Sequence, residues 1–112
     1  MELKPIIAYS DFEKLDMRVG TIVSAEAVPD SKKLLKLAVD FGSEERQVVA
    51  GIAKDYPDPT VLVEKQAIFL INIEPRTLAG LESQAMLLVA ASDDQAVILQ
   101  PSVPMPNGSL VQ

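Results

Sequence analysis

The chain has 112 residues, 48% of them apolar, and a formal net charge of −6. This length predicts one domain over 1–112 with a core that stands without disulfides or metals, and the apolar content excludes a disordered chain. There is no Cys and no His, which excludes His-based acid–base chemistry, Ser-His-Asp and Cys-His nucleophiles and the usual zinc sites, so neither an enzyme nor a bound metal or cofactor is expected.

Residues 1–9 read as an extended arm, because Pro5 opposes a helix. Ser10 or Asp11 is placed to cap a short helix over Asp11–Leu15. From Met17 the period becomes two: Met17, Val19, Thr21 and Val23 share one face, and Arg18, Gly20, Ile22 and Ser24 the other. That alternation predicts a long first strand reaching about Val28, with Gly20 marking a bend or bulge. Pro29-Asp30-Ser31 predicts a turn. Leu35, Leu37, Val39 and Phe41 then alternate through a second strand, Lys33–Phe41. Gly42-Ser43-Glu44-Glu45 is a tight connection to a third strand, Arg46–Ala50, which ends at Gly51. Pro57 and Pro59 make Ala53–Thr60 a loop, and a short helical turn fits over Val61–Lys65.

Gln66–Ile73 is a nearly unbroken apolar run and reads as a buried strand. Glu74–Gly80 reads as a loop, Gln84–Ala91 as the next strand, Asp93-Asp94 as a turn and Ala96–Gln100 as a last short strand. Four Pro and Gly residues (Pro101, Pro104, Pro106, Gly108) make the tail irregular, while Val103, Met105 and Leu110 predict that it packs. The only aromatics are Tyr9, Phe12, Phe41, Tyr56 and Phe69, so the core must rest on Val, Ile and Leu, which suits strands. Several short strands with one short helix between the third and fourth predict an all-β fold, an OB-fold Greek-key β-barrel with a short N-terminal helix. Periodicity alone leaves another small barrel, SH3-like for example, open.

No window approaches the roughly 20 apolar residues of a membrane span, and Met1–Asp11 has no apolar signal core, so a cytoplasmic location is expected. The net charge taken alone opposes a nucleic-acid partner, since phosphate affinity needs local positive charge. What matters is the field at one face. Lys32, Lys33 and Lys36 fall within five positions, while Glu44, Glu45, Asp55, Asp58, Asp93 and Asp94 lie in connections.

Five segments carry a resemblance. Asp11-Phe12-Glu13-Lys14-Leu15-Asp16-Met17-Arg18-Val19-Gly20 resembles the entry motif of the tRNA-binding domain family. That family includes the C-terminal domain of bacterial methionyl-tRNA synthetase, stand-alone structure-specific tRNA-binding proteins, the cytokine-like domains of eukaryotic synthetase cofactors and CsaA-type export chaperones. Ser31–Leu37, Val48–Ile52, Asn72–Arg76 with Gly80, and Glu82–Leu88 resemble its later motifs in order and spacing, over about residues 11–91. The resemblance implies an OB barrel that recognises the tRNA fold. It implies RNA contacts from Lys33 and Arg76 to phosphates, from Asn72 and Ser83 to sugar or base edges, and from Met86 to a base or ribose. Lys36, on the same strand as Lys33, is added from its position.

Each of these residues has a rival reading. Lys33 and Lys36 suit a solvated strand face, Met86 a core position beside Leu87 and Leu88, Ser83 a cap or turn, and Asn72 a β-turn. Two residues depart from the family pattern: Ala85 stands where a Gly is usual, and Thr77 where many members carry a basic residue. Since one small face covers few nucleotides, a homodimer is expected, and the resemblance to stand-alone members of the family implies that the arm 1–10 and the tail 92–112 form it. The expected function is a structure-specific tRNA-binding protein, stand-alone or a β-type subunit assisting methionyl-tRNA synthetase. The alternative is a CsaA-like chaperone for unfolded polypeptides.

Overall fold

A computed structural model describes all residues, 1–112. In chain order the elements are α1 (Tyr9–Phe12), β1 (Met17–Ala27), β2 (Leu35–Asp40), β3 (Glu45–Ala50), a 3₁₀ turn (Pro59–Leu62), β4 (Gln66–Leu70), β5 (Arg76–Leu78), β6 (Leu81–Ser83), β7 (Met86–Leu87), β8 (Val89–Ala91), β9 (Ala96–Ile98) and β10 (Leu110–Val111). The main sheet runs β3-β2-β1-β4-β7, with β10 beside the start of β1. Three strands in a meander followed by a fourth beside the first is a Greek key.

The long β1 organises the barrel. Its first half pairs with β4, from Met17 against Leu70 to Thr21 against Gln66. Its second half pairs with β2, from Thr21 against Asp40 to Ala27 against Leu35. The bulge that barrel curvature requires lies between Ile22 and Ser24, not at Gly20. Gly20 answers a different need: a Cβ there would sit 2.6 Å from Val39 Cγ1 and 2.9 Å from Phe41 Cε1. Beyond Asp40, the tail takes the place beside β1 that β2 leaves. The Val19 N–H donates to Ser109 O at 2.9 Å, and the Gly108 N–H donates to Val19 O at 2.8 Å. The tail is pinned further by Gln66, which donates to Met105 O at 2.6 Å and accepts from the Met105 N–H at 2.9 Å.

The core follows the predicted alternation of β2. Leu35, Leu37 and Val39 are fully buried with Ile22, Val48, Leu62 and Phe69. The Phe41 ring meets Phe69 edge-on, with centroids 5.3 Å apart.

Five segments differ from expectation. The helix starts at Tyr9, two residues early, because the Asp11 carboxylate reaches back to the Ala8 N–H at 3.2 Å instead of capping from outside. The helical turn also starts early, with Pro59 in its first turn and Asp58 as its cap, accepting from the Thr60 N–H and hydroxyl. These bonds hold the Asp58 carboxyl below its ordinary value of 3.8. The run Gln66–Ile73 stops pairing as β4 at Leu70, and Gln84–Ala91 breaks into β7 and β8, the latter pairing with β9.

The largest difference is at Glu74–Gly80, where half of a hairpin replaces the expected loop. β5 pairs with β6 through a two-residue turn at Ala79-Gly80, both at positive φ (48° and 78°). That is the hairpin turn whose twist matches the strands. Ala is a poor predictor of it because it lacks the side chain or the freedom that favours this conformation.

Candidate nucleic-acid interface

β3 has no ladder partner on its outer side, so side chains close the barrel there. The Ser83 hydroxyl accepts from the Val49 N–H at 3.0 Å and lies 3.0 Å from Ala85 O. Gln84 joins from both ends: its backbone N–H donates to Gln47 O, and its Oε1 accepts from the Gln47 N–H. Arg46 donates through Nη1 to Ile71 O at 2.8 Å and Gln84 O at 3.1 Å.

Above this seam the wall opens into a groove of about 370 Å³. Its lining is mostly apolar, including Leu34, Val49, Ile73, Leu78 and Met86. Arg76 and Glu74 are its only charged lining residues. The size is that of a small-ligand site. The groove is built by the hairpin β5–β6, by β7, and by the segment after β3, so it depends on the element the sequence concealed.

The structure brings three of the six expected residues to this groove: Arg76, Ser83 and Met86. Met86 is 38% exposed while its neighbour Leu87 is buried, so Met86 is not a core methionine. Arg76 is exposed and makes no ion pair or side-chain hydrogen bond. Ser83 is only 7% exposed, and its hydroxyl is engaged by Val49 and Ala85. Lys33 stands at the groove's margin, next to the lining residue Leu34. It is exposed and unpaired, and its carbonyl accepts from the Ala53 N–H at 3.1 Å. That bond also brings the segment carrying Lys54, which the sequence pattern did not single out, against the entry to β2.

The other two lie elsewhere. Lys36 sits on the outer face of β2, paired with Glu26 at 2.8 Å, in a shallow depression shared with Glu45 and Arg46. Asn72 clamps the linker between α1 and β1: its Oδ1 accepts from the Asp16 N–H at 2.8 Å, and its Nδ2 donates to Lys14 O at 2.6 Å. It makes no turn of its own. Of the two departures from the family pattern, Ala85 is buried in the core cluster and Thr77 is exposed on β5.

A Greek-key barrel with a 3₁₀ turn between β3 and β4, an apolar groove on one wall and unpaired cations beside it is an OB-type binding barrel. Residues 17–110 match the family model described as "Putative tRNA binding domain", and the chain belongs to that family. It is 45% identical over 111 residues to the methionine–tRNA ligase of Archaeoglobus fulgidus, covering 99% of this chain and 17% of the ligase. It is 52% identical over 100 residues to that of Methanococcoides burtonii, covering 88% of this chain and 14% of the ligase. The chain thus spans about one sixth of the length of these relatives. Among solved structures, a MetRS-related protein from Pyrococcus horikoshii superposes with a TM-score of 0.90 at 38% identity, covering 97% of this chain and all of that one. The chaperone CsaA of Bacillus anthracis superposes with a TM-score of 0.87 at 32% identity, covering 96% and 100%.

Proposed function

We propose that this chain is a non-catalytic tRNA-binding module that serves methionyl-tRNA synthetase in the cytoplasm, as a separate subunit or as a part of it. The observation that carries the reading is the groove itself: an apolar cleft with Arg76 in its lining and Lys33 beside it, both without an acidic partner. On a molecule of net charge −6, four of the ten basic residues are tied up in ion pairs (Lys14, Arg18, Lys36 and Arg46). In this reading Lys33 and Arg76 hold phosphates and Met86 lies against a base or ribose. Lys36 adds only distant charge. Ser83 and Asn72 act by shaping the barrel wall and its entry segment. The greater identity to the ligases than to the chaperone favours RNA over an unfolded polypeptide. Filter retention of purified tRNA at two salt concentrations tests the proposal. Affinity in the micromolar range or tighter, falling with salt, is the expected result; no retention at low salt rejects it.

The same module is proposed to work as a homodimer. Leu3, Ile6, Ile7 and Tyr9 are exposed on the arm, and Val103, Met105 and Leu110 on the tail. Tyr9, Phe12, Leu110 and Val111 line one depression, so the base of the arm and the end of the tail adjoin. A patch of that kind favours an isologous contact with a second copy. Light scattering at micromolar concentration is expected to give twice the 12.1 kDa of one chain, and a monomer mass rejects the pairing.

A further inference from the structure

Four of the five glycines have a reason inside the fold. Gly42, Gly80 and Gly108 sit at positive φ (94°, 78° and 89°), and Gly20 leaves no room for a methyl group beneath Val39 and Phe41. Gly51 has no such reason. Its φ lies outside the left-handed region, and a Cβ built on it meets nothing nearer than Lys33 O at 4.0 Å, an ordinary contact distance. Yet Gly51 is exposed, and it lines the apolar groove together with Arg76 and Met86. An alanine there would limit the unfolded chain without straining the folded one. The fold is therefore better served by alanine, and glycine is explained by something arriving from outside.

We infer that Gly51 is the close-approach point for one unstacked nucleobase of the bound RNA, whose flat face lies on the bare backbone of Gly51 within the groove. The inference rests on the tRNA-binding reading and adds to it a positioning residue that carries no charge and no hydrogen-bonding side chain. The lining suits this occupant. A base presents an apolar face to Leu34, Val49 and Met86, and its attached phosphate remains at the rim, where Arg76 and Lys33 have no acidic partner. A methyl or isopropyl group at position 51 fills the space that the base needs, because it projects toward open groove and not into the barrel.

The test compares wild type with Gly51→Ala and Gly51→Val in urea unfolding and in tRNA titrations across salt. Three results are expected together. The unfolding midpoint of Gly51→Ala is equal to or above that of wild type. The tRNA dissociation constant rises for both variants, by roughly fivefold or more for valine, the low end of what one base stack contributes. The slope of log affinity against log salt stays unchanged, because no phosphate contact is lost. Unchanged affinity in both variants overturns the inference, as does a lowered midpoint in Gly51→Ala, which would show that the fold needs the glycine. A changed salt slope also overturns it. Failure of the wild type to bind tRNA is a separate result, which removes the parent reading and this inference with it.

Discussion

Replacing Phe69 by alanine is expected to destabilise the fold by about 3–5 kcal/mol, among the largest losses any single side chain here can produce. Phe69 is fully buried at the centre of the core cluster, on the strand that joins β1 to β7. Its ring is the partner of Phe41, edge-on at 5.3 Å, and the chain has few other aromatics to fill the void. The sheet around it is fixed by ladder bonds on both sides, so the cavity cannot collapse cheaply. Against a total stability of about 5–15 kcal/mol, this is a large fraction. Urea unfolding measures it, with Val61→Ala as the comparison, since Val61 is exposed and its loss is expected to stay within about 0.5 kcal/mol. A loss below about 1 kcal/mol for Phe69→Ala would mean that the core is not packed around this ring.

The second large effect is on binding. Arg76→Glu is expected to weaken tRNA affinity at least about tenfold at low salt, as befits the loss of a charge-assisted contact and its replacement by repulsion. The slope of log affinity against log salt is expected to flatten by about 0.7–0.9 for the lost phosphate. The fold should not change, because Arg76 is exposed and holds no ion pair. Lys33→Glu is expected to behave alike and Lys36→Glu to do much less, because Lys36 lies on the outer face of β2 and already spends its charge on Glu26. Equal losses for all three would point to a diffuse electrostatic effect, and no loss at Arg76 would remove the groove from the RNA path.

Much of the barrel was legible along the chain. The alternation Leu35, Leu37, Val39 belongs to a strand with one buried face, and the structure buries those three residues. Met17–Ala27 was legible as a strand, but its buried face was not: the buried Val19 and Ile22 come from opposite faces of the expected alternation, and Val23 is exposed. The hairpin β5–β6 was not. Its turn at Ala79-Gly80 carries only one of the residues that announce such turns, and its strands are three residues each, too short for a period to emerge. The break between β7 and β8 was hidden by an apolar run that looks alike whether or not its backbone stays in one ladder.

The chain's own order of residues determined the first three strands, the excluded His and Cys chemistry, and the motifs that mark its family. Tertiary structure alone decided how the polar residues within those motifs are used. Asn72 bonds to backbone 56 and 58 positions away, and Ser83 to backbone 34 positions away, so both side chains are engaged in holding the barrel. Arg76 and Lys33 look no different on paper, yet neither finds a carboxylate. The reason is that a side chain's free hydrogen-bonding capacity and net charge depend on partners brought near by folding, and no local pattern records them.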